Sequence, residues 1–272
     1  MKLAELVDRT GTMKSTEPMP VLFVGHGSPM NALGESEITR GWKTMVEGIP
    51  TPEAILCVSA HWETCGTYVT AMPQPRTLHD FGGFPPELYR VQYPAPGSPS
   101  LAAGIGDAIR GARVQPDTGW GLDHGAWSVI RHMYPEATVP VLQLSLDYGM
   151  DAAKHYELGR ELEYLRGKGI LVVGSGNLVH NLRMVDWNRP DGGFDWAEEA
   201  ADHFRRLIRS GDHAALADYR SLGRSVQLAV PTPEHYWPLM YVLGMKRSRD
   251  QVEFFNDRLQ MGSVSMLSVR IS

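Results

Sequence analysis

Two histidines of this chain stand where an apolar run of the sequence ends. His26 follows residues 21–24 and a glycine, and His61 follows residues 54–60. Short and nearly continuous apolar runs of this kind are typical of strands that are covered on both faces. Because ligands bind beyond the carboxyl ends of the strands in open α/β sheets, imidazoles at that edge can share a metal ion. The sequence therefore predicts a metal site that includes His26 and His61.

Two further histidines follow turns from which they can reach the same edge. His180 comes after the apolar residues 170–174 and a Gly-Ser-Gly-Asn turn, which by itself fits an anion-binding nest as well as a metal site. His235 follows Thr232, a candidate N-cap, and Pro233, which suits the first turn of a helix. A helix N-terminus disfavours the imidazolium form, and the neutral ring is the form that binds a metal.

The other histidines divide into one candidate and several that need no function. His124 lies in a glycine-flanked turn before an apolar segment, where Asp123 is a candidate N-cap, so a catalytic and a structural role both stay open. Glu234 fits a charge at a helix N-terminus better than a ligand, and both roles stay open. Four histidines within helical patterns are predicted to be solvated at the surface, namely His132, His155, His203 and His213.

A long stretch rich in proline and glycine, residues 72–99, lies between two predicted elements. Stretches of this length without secondary structure are usually functional or disordered, and the aromatic residues here favour a folded lid. His79 and Asp80 fit a substrate contact and a plain surface role equally well. The aromatic residues expected to line a pocket are Trp62, beside His61, and the lid residues Phe81, Phe84 and Tyr93.

The elements that must position these residues alternate along the chain. Further apolar runs at 139–146 and 264–271 join those described above, with amphipathic segments between them at 35–47, 100–110, 151–166 and 194–209. This alternation predicts an α/β fold in a single domain, with a central, mostly parallel or mixed sheet and helices on both faces. We expect the domain at residues 19–272, preceded by a loosely held extension at residues 1–18.

Composition excludes several classes of function. The formal net charge is −5 and no long Lys/Arg run occurs, which argues against nucleic-acid binding and favours a small-molecule substrate. No stretch reaches membrane-spanning length and the first residues lack a signal sequence, so we expect a cytoplasmic protein without a membrane partner. The two cysteines are too few for a disulfide framework or a thiolate zinc site. The oligomeric state stays open.

Seven motifs, taken in order, resemble the 4,5-DOPA extradiol dioxygenase family, a branch of the class III extradiol ring-cleavage dioxygenases. The resemblance runs from about Met19 to the C-terminus and is specific because seven separate motifs agree. The motifs are Gly25-His-Gly-Ser-Pro-Met-Asn31, Ser59-Ala-His-Trp62, Leu78-His-Asp-Phe-Gly-Gly-Phe-Pro85, Tyr93-Pro-Ala-Pro-Gly-Ser-Pro99, Gly121-Leu-Asp-His-Gly-Ala-Trp127, Gly176-Asn-Leu-Val-His-Asn181 and Pro231-Thr-Pro-Glu-His235.

The resemblance implies a metal-dependent enzyme that cleaves a DOPA-like catechol. Both atoms of O₂ are inserted next to the diol, which gives a muconic semialdehyde. The resemblance places one divalent metal on His26, His61 and His235, with His180 beside it as an acid/base group or an additional ligand. His180 is the expected base, and His124 is the second candidate. Substrate contacts are expected from His79, Asp80, Phe81 and Trp62.

The identity of the metal and one alternative class of function stay open. The better-known branch of the superfamily closes its iron site with two histidines and a carboxylate, whereas the matching position here is His235. Three neutral imidazoles suit Zn²⁺, although the oxygen chemistry requires Fe²⁺. The same three histidines fit a zinc-dependent hydrolase, in which an open coordination position activates water. A non-catalytic metal-binding protein is the remaining alternative.

Overall fold

The computed structural model describes residues 17–272. Residues 1–16, which form most of the predicted extension, lie outside the described residues. The predicted domain begins at Met19, just before the first strand. Within residues 17–272, every helix is too short or too polar to cross a lipid bilayer.

Ten strands form a large sheet and a small one within the described residues. The strands are β1 (Val21–Gly25), β2 (Ala54–Thr64), β3 (Thr67–Thr70), β4 (Val114–Asp117), β5 (Val141–Asp147), β6 (Ile170–Gly176), β7 (Val252–Phe255), β8 (Leu259–Gln260), β9 (Val264–Ser265) and β10 (Ser268–Ile271). The large sheet has the order β4-β3-β5-β2-β6-β1-β10-β7, and β8 pairs with β9. The four central strands β5, β2, β6 and β1 are mutually parallel, and β10 and β7 continue the sheet antiparallel.

The prediction of a mixed sheet is confirmed, with two differences in the strands. The run at 264–271 forms two short strands rather than one, β9 and β10. Strand β2 continues to Thr64, so His61 lies inside it rather than beyond its end. The pairing of β2 with β5 is irregular between Val58 and Glu63, and His61 lies in this irregular part.

The described chain contains eight α-helices, several of which pack on the large sheet. They are α1 (Glu37–Val46), α2 (Pro99–Ala108), α3 (His124–Met133), α4 (Ala152–Leu162), α5 (Asp195–Ser210), α6 (His213–Ala217), α7 (Arg224–Ala229) and α8 (Trp237–Gly244). Successive residues of a strand point to opposite faces of the sheet, and β1 shows this directly. Val21 and Phe23 pack into a core with α4, α5 and α8, whereas Leu22 and Val24 pack into a second core with α1 and α3. Helices therefore lie on both faces, as predicted.

The ends of β1 and β6 are level, and the segment that carries His235 crosses them. Gly25 pairs with Gly176 in the parallel register of these two strands. The carbonyl oxygen of His235 accepts a hydrogen bond from the backbone of Asn177 at 2.9 Å. A Cβ atom on Gly176 would lie 2.1 Å from that carbonyl oxygen, so only glycine allows the segment to approach the end of β6. The sheet edge thus receives His235 from a distant part of the chain.

One histidine that we predicted to be solvated is buried in the core. His155 lies on α4 with no exposed surface, and its ring packs 4.7 Å from Trp237 and 5.4 Å from Tyr241. The prediction was wrong because the polar neighbours of His155 in the sequence occupy the other face of the helix, while its own face packs against α8.

Candidate metal centre

Five imidazoles converge on a cavity of about 360 Å³ at the carboxyl edge of the sheet. His26 follows β1, His61 lies in β2, His124 opens α3, His180 follows β6, and His235 precedes α8. The sequence prediction singled out all five. Strands β2, β6 and β1 are parallel neighbours, so the rings of His61, His180 and His26 meet at one edge of the sheet. The turns before α3 and α8 bring the rings of His124 and His235 to the same edge.

The rings of His26, His61 and His235 form a nearly equilateral triangle. Their centroids are 5.0 Å apart for His26 and His61, 5.3 Å for His26 and His235, and 5.1 Å for His61 and His235. Imidazoles that hold one ion at tetrahedral angles, with nitrogen about 2.1 Å from the ion, have centroids about 5 Å apart. The Nε2 atoms of His26 and His61 are 3.2 Å apart, close to the roughly 3.0–3.4 Å expected for two nitrogens on one ion. The ring spacing of the triangle and this one nitrogen–nitrogen distance fit a single divalent ion.

Two other groupings of residues in the cavity bring candidate ligand atoms close together. Candidate ligand atoms lie within 4.8 Å of one another in two sets, His26 with His61 and His124, and His180 with Glu234 and His235. The rings of His61 and His124 are only 3.9 Å apart. Those of His180 and His235 stack at 3.5 Å with planes 13° apart, so their nitrogens lie side by side rather than around a shared centre. Ring spacing is thus nearest to the tetrahedral value in the triangle, whereas candidate ligand atoms are close together in the two other sets.

A serine hydroxyl determines which nitrogen of His26 is free. The Oγ atom of Ser175 donates to the carbonyl oxygen of Gly125 at 2.6 Å, which uses its only proton. Ser175 must then accept from Nδ1 of His26, which lies 3.0 Å away. The Nε2 atom of His26 is therefore unprotonated, and it is this atom that faces His61.

Carboxylates lie behind the other two rings of the triangle. The Oε1 atom of Glu234 accepts from Nδ1 of His235 at 3.0 Å, and Oδ2 of Asp80 lies 3.4 Å from Nδ1 of His61. Metal-binding histidines commonly donate their second N–H to a carboxylate or another oxygen, which orients the ring and raises its basicity. Nδ1 thus has a hydrogen-bonded oxygen partner in His26 and His235, and in His61 it lies near a carboxylate.

The residues around His235 correct two details of the prediction. Glu234 contacts His235 directly instead of acting only as a charge at a helix end. Thr232 is not the N-cap, because α8 begins at Trp237 and its N-cap is Tyr236. The hydroxyl of Thr232 donates instead to Oε1 of Glu234 at 2.9 Å. The proline-rich turn is therefore used to hold the carboxylate rather than to start the helix.

Burial keeps the imidazoles of the cavity neutral. Burial, reinforced by the neighbouring imidazoles, holds the pKa of His26 and of His235 well below the usual value. Burial lowers the pKa of His61 to about 3 and the pKa of His180 to about 4. A metal ion binds the neutral ring through its lone pair, so four of the five rings are in the form that a ligand requires at pH 7.

His124 is held by a carboxylate from the lid. The side chain of Asp123 accepts from the backbone of Ala126 at 3.1 Å, which confirms the predicted N-cap of α3. Asp80 accepts from the backbone N–H of His124 at 2.8 Å and from its Nδ1 at 2.9 Å. Burial alone would raise the pKa of Asp80, but the hydrogen bonds from His124 outweigh it and place that pKa below the usual value. Because Nδ1 of His124 donates to Asp80, its Nε2 is able to accept a proton.

The rest of the cavity wall is apolar and comes partly from the lid. Phe81 and Phe84 of the lid line it, and Leu182, Val185 and Trp187 line it from the loop after His180. The lid is folded, since its residue Thr77 pairs with Leu122.

Four residues that we expected near the substrate do not line the cavity. Trp62 stacks on Trp120 with ring centroids 5.6 Å apart and does not line the cavity. Its neighbour His61 does line the cavity, and successive residues of a strand point to opposite faces of the sheet. Tyr93 is buried and donates to the carbonyl oxygen of Tyr134. His79 hydrogen-bonds the carbonyl oxygen of Val91 and packs behind Phe81. Asp80 likewise lies behind the wall, against His124 and His61.

Ser175 and Trp187 are among the residues of the site that sequence reasoning missed. Ser175 is a polar residue inside a strand that is otherwise apolar, and that contrast is a signal that could have been used. Trp187 lies in a polar loop without periodicity and carries no such signal, yet it lines the cavity with 80% of its side chain exposed.

Comparisons with known proteins agree on one family. The model of a family described as "Catalytic LigB subunit of aromatic ring-opening dioxygenase" matches residues 19–271. The chain is 46% identical over 263 residues to a 4,5-DOPA dioxygenase extradiol of Escherichia coli K12, covering 95% of this chain and 96% of that protein. It is 35% identical to a protein of the same name from Beta vulgaris, covering 92% and 95%. The crystal structure of an uncharacterized protein from Escherichia coli K12 matches with a TM-score of 0.79 and 42% identity, covering 93% of this chain and 100% of that one.

Proposed function

The chain belongs to the family of the catalytic LigB subunit of aromatic ring-opening dioxygenase, and we propose that it opens a catechol ring beside the two hydroxyl groups with one divalent metal ion. Its relatives named 4,5-DOPA dioxygenase extradiol make an extradiol dioxygenase the enzyme class. The observation that carries the proposal is the triangle of His26, His61 and His235 at the end of an apolar cavity.

The donor set of the triangle is suited to a divalent transition metal. Nitrogen donors of this kind bind Zn²⁺ and Fe²⁺, and carboxylates behind the rings support both. When bound, the ion supplies Lewis acidity toward the two catechol oxygens and, if it is Fe²⁺, the redox chemistry that oxygen requires. We take Fe²⁺ as the ion of the active enzyme and Zn²⁺ as an inactive occupant. The three ligands are neutral, so the charge of the ion is not offset and ionisation of the catechol hydroxyl groups is favoured.

His180 and His124 are the two imidazoles of the cavity outside the triangle. Their place beside the ligands puts them within reach of the substrate hydroxyl groups, where a positioned imidazole can take and return a proton. We assign His180 as the base that takes the catechol proton, since its stacking on His235 argues against a ligand role. His124 is the second acid/base group, and Asp80 holds it with Nε2 able to accept.

The overall reaction needs no external reductant. The ring carbon–carbon bond next to the diol breaks, and the two oxygen atoms of O₂ appear in the ring-opened muconic semialdehyde. The apolar wall excludes water from the ring while the histidines hold the polar edge of the substrate. A zinc-dependent hydrolase on the same three histidines is disfavoured by the family membership.

Oxygen uptake by defined metal forms tests the proposal. Protein loaded anaerobically with Fe²⁺ should consume one O₂ per catechol and form a yellow product, and the Zn²⁺ form should consume none. His203→Ala, at a surface histidine of α5, serves as the control and should match the unsubstituted enzyme. An Fe²⁺ form that holds one ion per chain and leaves every catechol of a broad panel unchanged would contradict the proposal.

A further inference from the structure

The cavity has two chemically different parts. One part presents the five imidazoles, and the other presents apolar side chains from three stretches of the chain. The apolar residues that matter here are Phe81, Phe84, Leu182, Val185, Trp187 and Val264. A catechol whose diol lies against the histidines must place its ring substituent among these side chains or in the open mouth beside them.

Charged partners for that substituent are missing from the wall. Among the described residues that line the cavity there is no Lys, Arg, Asp or Glu. Asp80 and Glu234 lie behind the histidines and already accept from them. The hydroxyl of Ser28, which does line the cavity, accepts from the backbone of Met30. Arg183, although next to Leu182 in the chain, is exposed and is not part of the lining.

The cost of burying a charged substituent and the gain from burying an apolar one both favour catechols with an apolar substituent. A carboxylate or ammonium group that loses water without an ionic partner is strongly disfavoured, whereas an alkyl or aryl group gains from leaving water. A cavity of about 360 Å³ lies at the small end of the range for ligand pockets, roughly 300–1,000 Å³. It therefore suits one ring with a short substituent.

We infer that the preferred substrates are catechols with an uncharged apolar substituent, ahead of catechols that carry a carboxylate or an amino-acid side chain. This inference rests on the proposed function, since it identifies the substrate class of the same site. The relatives are named for DOPA, which carries both an ammonium and a carboxylate group. The inferred preference therefore differs from the substrate in those names.

A matched pair of substrates tests the preference. We expect kcat/KM of the Fe²⁺ enzyme to be at least about tenfold higher for 4-butylcatechol than for 3-(3,4-dihydroxyphenyl)propionate or DOPA, the ratio that a few apolar contacts produce. Equal or higher kcat/KM for the charged catechols would overturn the inference. Calorimetric titration of the Zn²⁺ form with the same catechols gives dissociation constants without turnover. Apolar selectivity in binding with no oxygen uptake by the Fe²⁺ form would support the inference about the pocket and contradict the proposed reaction.

Two arginine substitutions on one loop locate the preference. Leu182 lines the cavity and is 64% exposed, so Leu182→Arg adds a solvated cation at the mouth without disturbing the core. It should shift the ratio of kcat/KM toward the carboxylate substrate by about tenfold. Met184, 37% exposed on the same loop and outside the lining, provides the control Met184→Arg, which should leave the ratio unchanged. An equal shift in both variants, or none in Leu182→Arg, would show that the wall does not determine selectivity.

Discussion

His155 resembles the histidines of the cavity when each ring is considered alone, but its surroundings differ from theirs. His155 is buried between Trp237 and Tyr241, and burial lowers its pKa to about 4. The histidines of the cavity are buried or partly buried, and the pKa of His180 is lowered to the same value. Burial and a lowered pKa therefore do not distinguish a functional imidazole from a structural one.

The difference lies in what faces each ring. The Nδ1 atom of His155 meets the hydroxyl of Tyr241 at 3.1 Å, while its Nε2 is enclosed without a hydrogen-bond partner among the described residues. In the triangle, Nδ1 of His26 and of His235 is hydrogen-bonded to an oxygen, Nδ1 of His61 lies near a carboxylate, and all three rings line a cavity. Several lone pairs that face one another are unfavourable unless a cation lies between them. The convergence of several imidazoles on an open cavity thus distinguishes the site from a buried structural histidine.

Removal of one ligand should separate the two groups most sharply. His235→Ala takes away one corner of the triangle, and we expect metal affinity to fall by more than about 100-fold, since even the loss of a supporting partner costs about 10–100-fold. Oxygen uptake should fall with it. His155→Gln, the matched change outside the cavity, should keep one ion per chain and near-normal uptake in metal analysis and electrode assays. Similar metal loss in both variants would contradict the distinction between a metal-binding and a structural histidine.

Acid should act on stability through His155. Its pKa is about 4 in the folded protein and near 6.5 when unfolded, so between these values the unfolded chain binds more protons. The free energy of unfolding should therefore fall as the pH drops below about 6.5 and level off below about 4, by about 3 kcal/mol in total for this residue. In His155→Leu that part of the pH dependence should be absent from urea titrations of the metal-free protein. An unchanged slope would show that His155 is not neutral in the core.

The carboxylate behind His235 should matter for the metal and not for the fold. Glu234→Gln keeps the size of the side chain but weakens the acceptor at Nδ1, and we expect metal affinity to fall by about 10–100-fold. Competition with a chelator measures this affinity. Glu157→Gln, which changes an exposed acid on α4, is the control and should bind metal normally. Equal affinities in the two variants would mean that Glu234 does not support the ligand.

Asp80 should affect turnover more than metal content. In Asp80→Asn one oxygen remains for the two donors of His124, so the ring loses its fixed orientation. We expect kcat to fall by about tenfold, the low end for a group that supports proton transfer, with one ion still bound. A changed pH profile of kcat would identify the effect with proton transfer. Loss of the metal in this variant would instead show that the main role of Asp80 is to support His61, whose Nδ1 lies 3.4 Å from Oδ2 of Asp80.

The sequence was most informative where the signal is local. Apolar runs predicted β1, β2, β5 and β6, and the rule for sheet edges was enough to place His26 and His61 close together. The N-cap at Asp123 followed from its position before an apolar helix.

Contacts between distant parts of the chain were beyond such reasoning. The approach of the His235 segment to β6 depends on Gly176, and no spacing in the sequence relates the two. The orientation of Trp62 was predicted wrongly because His61 lies inside β2 and its neighbour faces away. The hydrogen bond of Ser175 to His26 joins residues of two strands whose register only the fold establishes.

Crystallography of the metal-loaded protein, with anomalous scattering to locate the ion, tests the central claim most directly. We expect one ion about 2.1 Å from Nε2 of His26, His61 and His235, with His124 and His180 unligated beside it. An ion held by His26, His61 and His124, or one bound between His180 and Glu234, would contradict the claim.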